Sequence, residues 1–374
     1  MDERWVLQLC HGYSGPFLDV ARQYAVLFRD TPFKVLTVYL TGEASEKVRT
    51  GSASDEVIFL GYSSRSIRGS KIGAIQAVRR IVVGRDCALV IAHRFKPVYV
   101  ACLATSLPTI GVHHAFGDYR RLCRRLFAHL FRHRLALLGV SHAVRDDMRA
   151  SLPSWPPARI ETLYNRIDIE TVQAGQRPRT ASRAALGLPQ DAWVAGNVGR
   201  LHPDKDQATL IRAFAYALPR LPAGSLLAIL GSGRDEAALK TLAHELNVAE
   251  SVRFLGQIPE AWRYFKAFDV FVLSSDHEPF GMVLLEAMAA GLPLICSDCG
   301  GGREVVEGIG ELFPFGDAKS LAQHLENAAL RKRPEDYPAR ATQRLRQYFS
   351  DPAARDVFWQ MASIREFAGQ DRGI

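Results

Sequence analysis

The chain has 374 residues, a formal net charge of +8, 48% hydrophobic residues and 23% charged residues. This composition is that of a globular protein and excludes extended disorder, and the length exceeds what one core covers, so we expect two domains. No apolar run approaches the roughly 20 residues of a membrane-spanning helix, which argues against an integral membrane protein. The acidic start over residues 1–4 is unlike a signal peptide, and six cysteines are too sparse for a disulfide scaffold. We therefore expect a cytoplasmic protein.

The positive charge is concentrated in the first half of the chain. Residues 1–180 carry 26 Lys and Arg against 15 Asp and Glu, whereas residues 181–374 carry 21 against 24. A basic half predicts an anionic partner for that half, which is a membrane surface, a phosphorylated acceptor or a nucleic acid.

Short apolar runs alternate with amphipathic segments, which is typical of parallel sheets with crossover helices. The strands predicted in the first half are Trp5–Cys10, Phe33–Leu40, Val57–Leu60, Ala88–Ala92, Thr109–His113 and Leu135–Val140, with helices near 16–29, 70–83, 96–106, 118–133 and 142–150. The strands predicted in the second half are Trp193–Val198, Leu226–Leu230, Val252–Leu255, Val270–Leu273 and Leu294–Cys296, with helices near 204–219, 234–246, 281–290 and 317–329.

The alternation is interrupted over residues 171–182, which are polar, lack periodicity and predict a linker. The predicted fold class is therefore α/β, with two doubly wound Rossmann-like domains over residues 1–175 and 183–350. Ligands of such sheets bind outside the carboxyl ends of the strands, so we expect the site in a cleft between the domains.

The densest group of candidate site residues follows the predicted strand that ends at Ser275. Glu278 precedes a helix that starts near Gly281, and Glu286 lies more than a turn inside it. The backbone N–H groups at the helix start suit an anion, and the two carboxylates address different parts of an extended ligand. Without further context, two glutamates at this spacing would indicate only that Glu278 caps the helix and that Glu286 is solvated. Its setting in Pro-Phe-Gly-Met and Glu-Ala-Met-Ala-Ala-Gly-Leu-Pro favours a ligand site.

A second group, Gly199–Asp206, lies at a predicted strand end and helix start. Arg200 and Lys205 suit a diphosphate there, although this segment taken alone would favour ordinary surface charge. Asp204 and Asp206 match the D-x-D of metal-dependent sugar transferases, but the lysine between them opposes a dication, so we expect no metal.

Glycine-rich turns follow further predicted strands. They are Gly12–Gly15, Gly231–Gly233 and Gly300–Gly302. Such turns allow close approach of the backbone to a ligand but are individually common. The strand–loop–helix placement of Gly12–Gly15 at the first turn of the first domain favours a ligand role for that turn.

Taken together, these residues resemble family 4 of the glycosyltransferases, the retaining transferases of GT-B fold. The matching segments are Gly199-Arg200 with Lys205, Gly231-Ser232-Gly233, Phe254-Leu255-Gly256, Glu278-Pro279-Phe280-Gly281 with Glu286-Ala287-Met288, Gly291-Leu292-Pro293, and Gly300-Gly301 with Glu304. Weaker matches are His93, Gly111-Val112-His113, Val140-Ser141 and Tyr164-Asn165. The resemblance implies a nucleotide-sugar donor held mainly by the second domain and an acceptor held mainly by the first. It also implies a C-terminal helix, about 352–374, that packs back onto the first domain.

The resemblance implies a role for each matching residue. Arg200 and Lys205 would bind the donor diphosphate and stabilise it as the leaving group. Glu286 would accept hydrogen bonds from the ribose, Glu278 would lie beside the donor sugar, and His113 would lie near the reacting carbon. The other implied donor contacts are Gly12, Gly15, Gly199, Gly231, Ile258 beside the base, and the backbone of Phe280, Gly281 and Met282. The implied reaction is front-face displacement with retention, and we expect no metal or other cofactor.

The sequence departs from the family pattern at three places. The turn His11–Pro16 lacks an adjacent glycine pair, Arg166 stands where the family commonly has glycine, and His113 is followed by His114 rather than aspartate. The catalytic histidine is therefore open among His113, which we favour, His114 and His93.

A basic helix is predicted between Asp118 and Leu135. Its arginines Arg120, Arg121, Arg124, Arg125 and Arg132 fall within an arc of about 140°, with Leu122, Leu126, Phe127 and Leu130 centred opposite. Either the arginines are merely solvated on a helix whose apolar face packs on the first domain, or they bind an anionic bilayer or phosphorylated glycolipid. The two interpretations are compatible, with the apolar face inward and the arginines toward lipid. No recognised motif accompanies the charge, so we expect no nucleic-acid partner.

We therefore predict a retaining hexosyltransferase at the inner face of the cytoplasmic membrane that extends a glycolipid or envelope polysaccharide. Within the family, the basic first domain is similar to that of the lipopolysaccharide core hexosyltransferases. UDP is the favoured nucleotide, from family frequency. The alternatives are another GT-B enzyme such as a nucleotide-sugar epimerase, and a catalytically silent sugar-nucleotide-binding partner. The combination of Arg200, Lys205, Glu278 and Glu286 argues against the silent partner.

Overall fold

The computed structural model describes residues 4–331 and 334–369. The chain forms two compact units, of which unit one comprises the chain up to Asn165 and again from Asp351, and unit two comprises Arg166–Ser350. Each unit is an α/β layer structure around a parallel sheet. The predicted fold class, two doubly wound parallel-sheet units, is confirmed.

Unit one is built on a parallel sheet that has seven strands among the described residues, in the order β3-β2-β1-β4-β5-β6-β7. The strands are β1 (Arg4–Cys10), β2 (Phe33–Thr41), β3 (Glu56–Tyr62), β4 (Cys87–His93), β5 (Thr109–His113), β6 (Leu135–Gly139) and β7 (Ile160–Thr162). The helices before Asn165 are α1 (Phe17–Ala25), α2 (Glu46–Gly51), α3 (Ile72–Val82), α4 (Phe95–Ala104), α5 (Leu122–Phe131) and α6 (His142–Ser151). The strand order reverses between β1 and β4, and the carboxyl ends at such a reversal form the usual ligand crevice.

Unit two has a six-stranded parallel sheet within its described part, in the order β10-β9-β8-β11-β12-β13. The strands are β8 (Val194–Val198), β9 (Leu226–Leu230), β10 (Val252–Phe254), β11 (Val270–Leu273), β12 (Leu294–Ser297) and β13 (Glu311–Phe313). The helices are α7 (Ile169–Gly175), α8 (Arg179–Leu186), α9 (Gln207–Ala217), α10 (Glu236–Glu245), α11 (Met282–Ala289), α12 (Gly300–Val306), α13 (Ala318–Leu330) and α14 (Tyr337–Tyr348). Here the order reverses between β8 and β11, so the loops after these strands hold the expected ligand site.

Residues 171–182 are not a linker, which corrects the prediction. They contribute to α7 and α8, and the Asp168 side chain accepts a hydrogen bond from the Thr171 backbone N–H to cap α7. Arg183 of α8 is fully buried, and its guanidinium donates to the Asp269 carboxylate at 2.9 Å and to the Ala267 carbonyl at 2.9 Å. A buried arginine that is fully hydrogen-bonded makes a core-facing helix look polar in sequence. The division of the chain accordingly falls at Asn165 rather than near 175.

The C-terminal segment belongs to unit one and consists of two helices, α15 (Asp351–Gln360) and α16 (Ala362–Ala368). Phe358 is fully buried against Phe28, with ring centroids 5.6 Å apart, and the Trp359 indole donates to the Leu27 carbonyl at 3.0 Å. The predicted single helix over about 352–374 is therefore divided at Met361, and residues 370–374 lie outside the described residues.

Candidate active site

The loop after β8 carries the two predicted phosphate-binding cations of unit two. Lys205 ends a short 3-10 helix, Pro203–Lys205, which leads directly into α9. The Gln207 side chain of α9 donates to the Arg200 carbonyl at 3.0 Å and so fixes the start of the loop. Both cations therefore lie at the carboxyl edge of the sheet, where the crevice is expected.

Lys205 forms an ion pair with Glu278. Its Nζ lies 2.6 Å from Oε2 of Glu278, and the side chains are only 18% and 12% exposed. The Ser275 hydroxyl donates to the same carboxylate oxygen at 3.3 Å, and the Ser274 hydroxyl donates to the Lys205 carbonyl at 2.9 Å. The structure thus joins two residues that the sequence predicted only as separate contacts of one ligand.

Arg200 is far more accessible than Lys205. Its side chain is 70% exposed and lies 3.2 Å from the Asp204 carboxylate, which also pairs with Nδ1 of His202 at 2.6 Å. Asp206, the second aspartate of the D-x-D, instead caps α9 by accepting from the Thr209 backbone N–H at 3.3 Å. The two aspartates therefore have different partners in the fold.

The glycine-rich turns of unit two let neighbouring loops pack backbone against backbone. Gly231 has a φ of +145°, and a Cβ there would lie 1.8 Å from the Gly199 carbonyl oxygen. Gly300 has a φ of +56°, and a Cβ there would lie 2.3 Å from the Glu278 carbonyl oxygen. These glycines are thus needed to position the loops of Arg200 and Glu278.

A cavity of about 410 Å³ opens beside the same loops. Its lining residues are Val198, Gly199, Arg200, Leu230, Gly231, Ser232, Gln257, Ile258 and Ala261. Four predicted donor contacts therefore line it together, whereas Gln257 and Ala261, which flank the predicted loop at Ile258, were missed. A larger cavity, about 760 Å³, lies at the amino ends of the strands beside Trp193, Val270 and Leu294 and contains none of the predicted site residues. The smaller cavity is the candidate site because it lies at the carboxyl edge.

The helix α11 begins directly after Gly281, whose φ is +95°. Phe280 is 2% exposed and packs edge-on against Phe349, so its side chain belongs to the core and only its backbone remains available. Glu286 is half-buried on α11, between the buried residues Leu285 and Ala287.

In unit one, His113 ends β5 as predicted, but its side chain is not open to a ligand. It is 0% exposed, and its two ring nitrogens lie 2.7 Å from the Asp118 carboxylate and 3.1 Å from the Tyr119 hydroxyl. Burial raises the pKa of Asp118, but the hydrogen bond and charge of His113, with the charge of Arg124, outweigh it and hold that pKa below its usual value. The residues that follow β5 thus fold over the imidazole, and the role of His113 near the reacting carbon stays a prediction.

His114 is the more accessible histidine of the pair. It is half-buried, with its ring 5.7 Å from that of Phe17 and its Nε2 3.4 Å from Nδ1 of His93. Burial lowers the pKa of His93 to about 3. Burial, together with the charges of His93 and His113, also holds the pKa of His114 well below its usual value. Both His93 and His114 are therefore neutral near pH 7.

A group of basic residues surrounds this edge of unit one. Burial lowers the pKa of His11, and the nearby charges of Lys96 and Arg94 lower it further. Arg94 follows β4 with a φ of +75°, and its guanidinium lies over the Phe17 ring, 4.8 Å from the centroid. Arg94 and Lys96 were not among the predicted site residues, although two cations directly after a predicted strand were a usable signal.

The two glycines of the first turn differ. A Cβ at Gly12 would lie 2.7 Å from Oγ1 of Thr41, whereas Gly15 has a φ of +64° and open space around it. Gly12 is therefore needed for packing against β2. Gly15 is required by the backbone conformation of the turn.

The basic helix is oriented differently from the prediction. Leu122, Leu126 and Leu130 are 61%, 60% and 69% exposed. Arg124, by contrast, turns back and donates to Asp118 at 2.7 Å. The expectation of leucines inward is wrong, because Phe127 and Ala128 form the inner face of α5 against the aromatic residues of α4. Arg120, Arg121 and Arg132 are exposed, as predicted. In the part of the chain that the structure describes, no helix is long and apolar enough to cross a bilayer.

Comparison with known proteins identifies two family regions. Residues 32–171 match Glycosyltransferase Family 4, and residues 178–347 match Glycosyl transferases group 1. A D-inositol 3-phosphate glycosyltransferase of Saccharomonospora viridis is 34% identical over 57% of this chain and 52% of its own length. The lipopolysaccharide core biosynthesis glycosyltransferase LpsD of Rhizobium meliloti is 33% identical over 54% of this chain and 59% of its own. The matched region thus spans between about half and three fifths of these curated relatives.

Solved structures share the fold over nearly the whole chain. A glycosyltransferase from Rickettsia africae superposes with a TM-score of 0.81 at 13% identity, covering 98% of this chain and 99% of its own. Anabaena HepE, solved in complex with UDP-glucose, superposes with a TM-score of 0.74 at 19% identity over 98% of this chain and 99% of its own. The two matched regions together with the doubly wound units show that the chain belongs to the family 4 glycosyltransferases of GT-B fold.

Proposed function

We propose that the chain transfers a hexose, with retention of configuration, from a UDP-sugar to a glycolipid or envelope polysaccharide acceptor such as the lipopolysaccharide core. The observation that carries the proposal is the Lys205–Glu278 ion pair beside the cavity lined by Arg200 and Ile258. An acid and two cations at the carboxyl edge of one sheet match what a sugar diphosphate needs.

The donor would occupy unit two. The base would lie at Ile258, the diphosphate at Arg200 and Lys205, and the ribose at Glu286, with Glu278 and the backbone around Gly281 beside the sugar. UDP is favoured because HepE, which shares this fold, was solved with UDP and with UDP-glucose. The cavity of about 410 Å³ falls within the range of small-molecule sites.

In the proposed reaction, charge accumulates on the leaving diphosphate as the sugar departs, and Arg200 and Lys205 stabilise that charge. Glu278 holds the Lys205 ammonium in place until the phosphate replaces it as a partner. The leaving phosphate takes the proton of the acceptor hydroxyl, so the protein need not supply a general base. A metal is not required for this scheme, because cations of the chain neutralise the diphosphate and Asp204 and Asp206 already serve Arg200, His202 and α9.

The acceptor would be anionic and would bind to unit one. Arg94 and Lys96 bring positive charge to the carboxyl end of β4, close enough to lower the pKa of His11 after β1, and His114 is the histidine that a ligand there would meet. Support also comes from the relatives, which are named for a phosphorylated inositol acceptor and for the lipopolysaccharide core. An acceptor of this class would place the enzyme at the inner face of the cytoplasmic membrane.

Calorimetric titration with UDP-, GDP- and ADP-sugars tests the donor, followed by transfer to a lipopolysaccharide core acceptor with the anomeric configuration read by NMR. We expect UDP-sugar binding and an α-linked product from an α-linked donor, both in the presence of a chelator. An inverted product would overturn retention, and loss of transfer with chelator would overturn the metal-independent scheme. Epimerised UDP-sugar without transfer would favour the epimerase alternative, and donor binding without any turnover would favour the silent partner.

A further inference from the structure

Helix α5 presents a row of exposed leucines. Leu122, Leu126 and Leu130 lie four residues apart and are 61%, 60% and 69% exposed, so they form one stripe along the helix. We call this stripe the leucine edge. Single exposed leucines are ordinary, but three on adjacent turns form a continuous apolar surface, which marks an interaction site.

The leucine edge is additional to the face that holds α5 in the fold. Phe127 stacks on Tyr99 with ring centroids 5.0 Å apart and meets Phe95 at 5.7 Å, and Ala128 is fully buried. The helix therefore already has an apolar inner face. The leucines are not required to attach it.

The charge around the leucine edge has one sign. Residues 119–134 contain six arginines and no acidic residue. Arg120 and Arg124 pair with Asp147 and Asp118, and Arg134 donates to main-chain carbonyls of α4 and the loop after it. The other three, Arg121, Arg125 and Arg132, form no ion pair among the described residues.

Two lysines extend this positive surface toward α5. Lys71 lies over the Tyr99 ring, 4.6 Å from its centroid, and Tyr99 in turn stacks on Phe127 of α5. Burial lowers the pKa of Lys71, and the nearby charges of Lys96 and Arg124 lower it further, so these cations lie close together.

We propose that the leucine edge inserts into an anionic phospholipid bilayer while Arg121, Arg125 and Arg132 contact the lipid phosphates. An apolar stripe bordered by cations without carboxylate partners fits the interface of such a bilayer. A second copy of the same surface fits poorly, because it would bring unpaired arginines against arginines. The inference rests on the proposed function, because insertion into the bilayer would bring the enzyme to the lipid-linked acceptor proposed above.

Co-sedimentation with vesicles tests the insertion. The vesicles are phosphatidylcholine with or without phosphatidylglycerol, and no donor or acceptor is added. We expect binding only to the anionic vesicles. Each of Leu122→Ser, Leu126→Ser and Leu130→Ser should weaken binding on the order of ten-fold, since each exposes less apolar surface for transfer into lipid.

The matched control is Leu330→Ser, because Leu330 is 72% exposed but lies on α13 of unit two. This variant should bind vesicles like the parent protein. The triple change Arg121→Gln, Arg125→Gln and Arg132→Gln should weaken binding in low salt and less so in high salt, whereas the leucine effect should persist in high salt. Equal binding by the leucine variants and Leu330→Ser would overturn the proposal. A concentration-dependent dimer that the leucine substitutions abolish would also overturn it, in favour of a second copy.

Sugar transfer to a detergent-free, water-soluble acceptor fragment separates this inference from the proposed function. The leucine variants should retain that transfer while losing transfer to vesicle-embedded acceptor. Leucine-dependent vesicle binding without any transfer would leave the insertion standing and defeat the proposed function. If the leucine substitutions change transfer to neither acceptor, the proposed function stands and the membrane insertion is overturned.

Discussion

The ammonium of Lys205 lies 2.6 Å from the carboxylate of Glu278, although 73 positions separate the two residues in sequence. The pair connects the loop after β8 with the loop after β11, the two loops that border the strand-order reversal of unit two. A ligand phosphate that competes for Lys205 would therefore act directly on the acid proposed to lie beside the sugar. In the proposed reaction, the pair would link donor binding to the position of Glu278.

The first prediction concerns the strength of this pair. A double-mutant cycle with Lys205→Met and Glu278→Gln, measured by urea unfolding, should give a coupling energy of about 1–3 kcal/mol, because both side chains are largely shielded from water. Lys240 and Glu236 are a matched control, since they lie 2.7 Å apart but are 50% and 38% exposed. That pair should give about 0.3–0.5 kcal/mol. Equal coupling in the two cycles would contradict the assignment of a protected pair.

The second prediction concerns Arg200. Arg200→Ala should weaken binding of UDP much more than binding of uridine, because only UDP carries the diphosphate that we propose the guanidinium contacts. Arg220→Ala is the control, since Arg220 is also 70% exposed and also pairs with a carboxylate, that of Glu326 at 2.8 Å. It should leave both affinities unchanged. Calorimetry gives the affinities of both variants for UDP and for uridine. An equal loss of affinity for UDP and uridine in Arg200→Ala would show that Arg200 does not contact the phosphates.

The third prediction concerns Glu286. Glu286→Ala should weaken UDP binding by about 2–3 kcal/mol, as expected for the loss of charge-assisted hydrogen bonds to the ribose. Glu286→Gln keeps one acceptor oxygen and should lose less. Affinities for UDP and for free pyrophosphate, measured by calorimetry, separate the ribose from the phosphates. If Glu286→Ala weakens the binding of UDP and of pyrophosphate equally, the carboxylate stabilises the structure of the site and does not contact the ribose.

The sequence predicted most strands and the loops of the donor site because these have strong local signals. Long apolar runs such as β1 and β2 are buried on both faces, and glycine and proline mark the loops at their ends. The strands β7 and β13 were missed because each has only three residues, too few for a periodicity. The equally short β10 was predicted, because its apolar residues continue to Leu255. The helix α8 was missed because its buried, paired Arg183 resembles a solvated arginine in sequence, and α7 was missed because its seven residues show no apolar periodicity.

Side-chain orientation was the part that the sequence could not supply. The helical-wheel argument placed Leu126 inward, yet the inner position of α5 belongs to Phe127 and Ala128, because the aromatic residues of α4 select that face. Likewise, the sequence favoured His113 over His114 at the end of β5 but could not show which of the two rings is buried. The Asp118 carboxylate and the Tyr119 hydroxyl, which are hydrogen-bonded to the buried His113, come from the next loop.

The fourth prediction separates those two histidines. His113→Ala should lower the free energy of unfolding by about 1–3 kcal/mol, because it removes the imidazole partner of the buried Tyr119 hydroxyl and leaves Asp118 paired with Arg124 alone. His114→Ala should leave unfolding nearly unchanged but lower turnover, because its ring is the one that a ligand at this edge would meet. Thermal unfolding and turnover are measured for both variants. If His113→Ala has the stability of the parent protein but loses turnover, then His113, the histidine favoured from the sequence, is the catalytic one.

The fifth prediction concerns pH and His93. Burial lowers the pKa of His93 from 6.5 in the unfolded chain to about 3 in the folded one, so between these values the unfolded chain binds a proton that the folded chain does not. This contribution to stability is fully present above pH 6.5 and is lost as the pH falls toward 3, by up to about 1.4 kcal/mol per pH unit. Carboxylates also titrate in this range, but they do so equally in a His93→Leu variant. The difference between parent and variant in urea unfolding, followed from pH 7 to pH 4, therefore isolates the histidine. The variant should lose less stability on acidification than the parent, and identical pH slopes would show that His93 takes up its proton in the folded state.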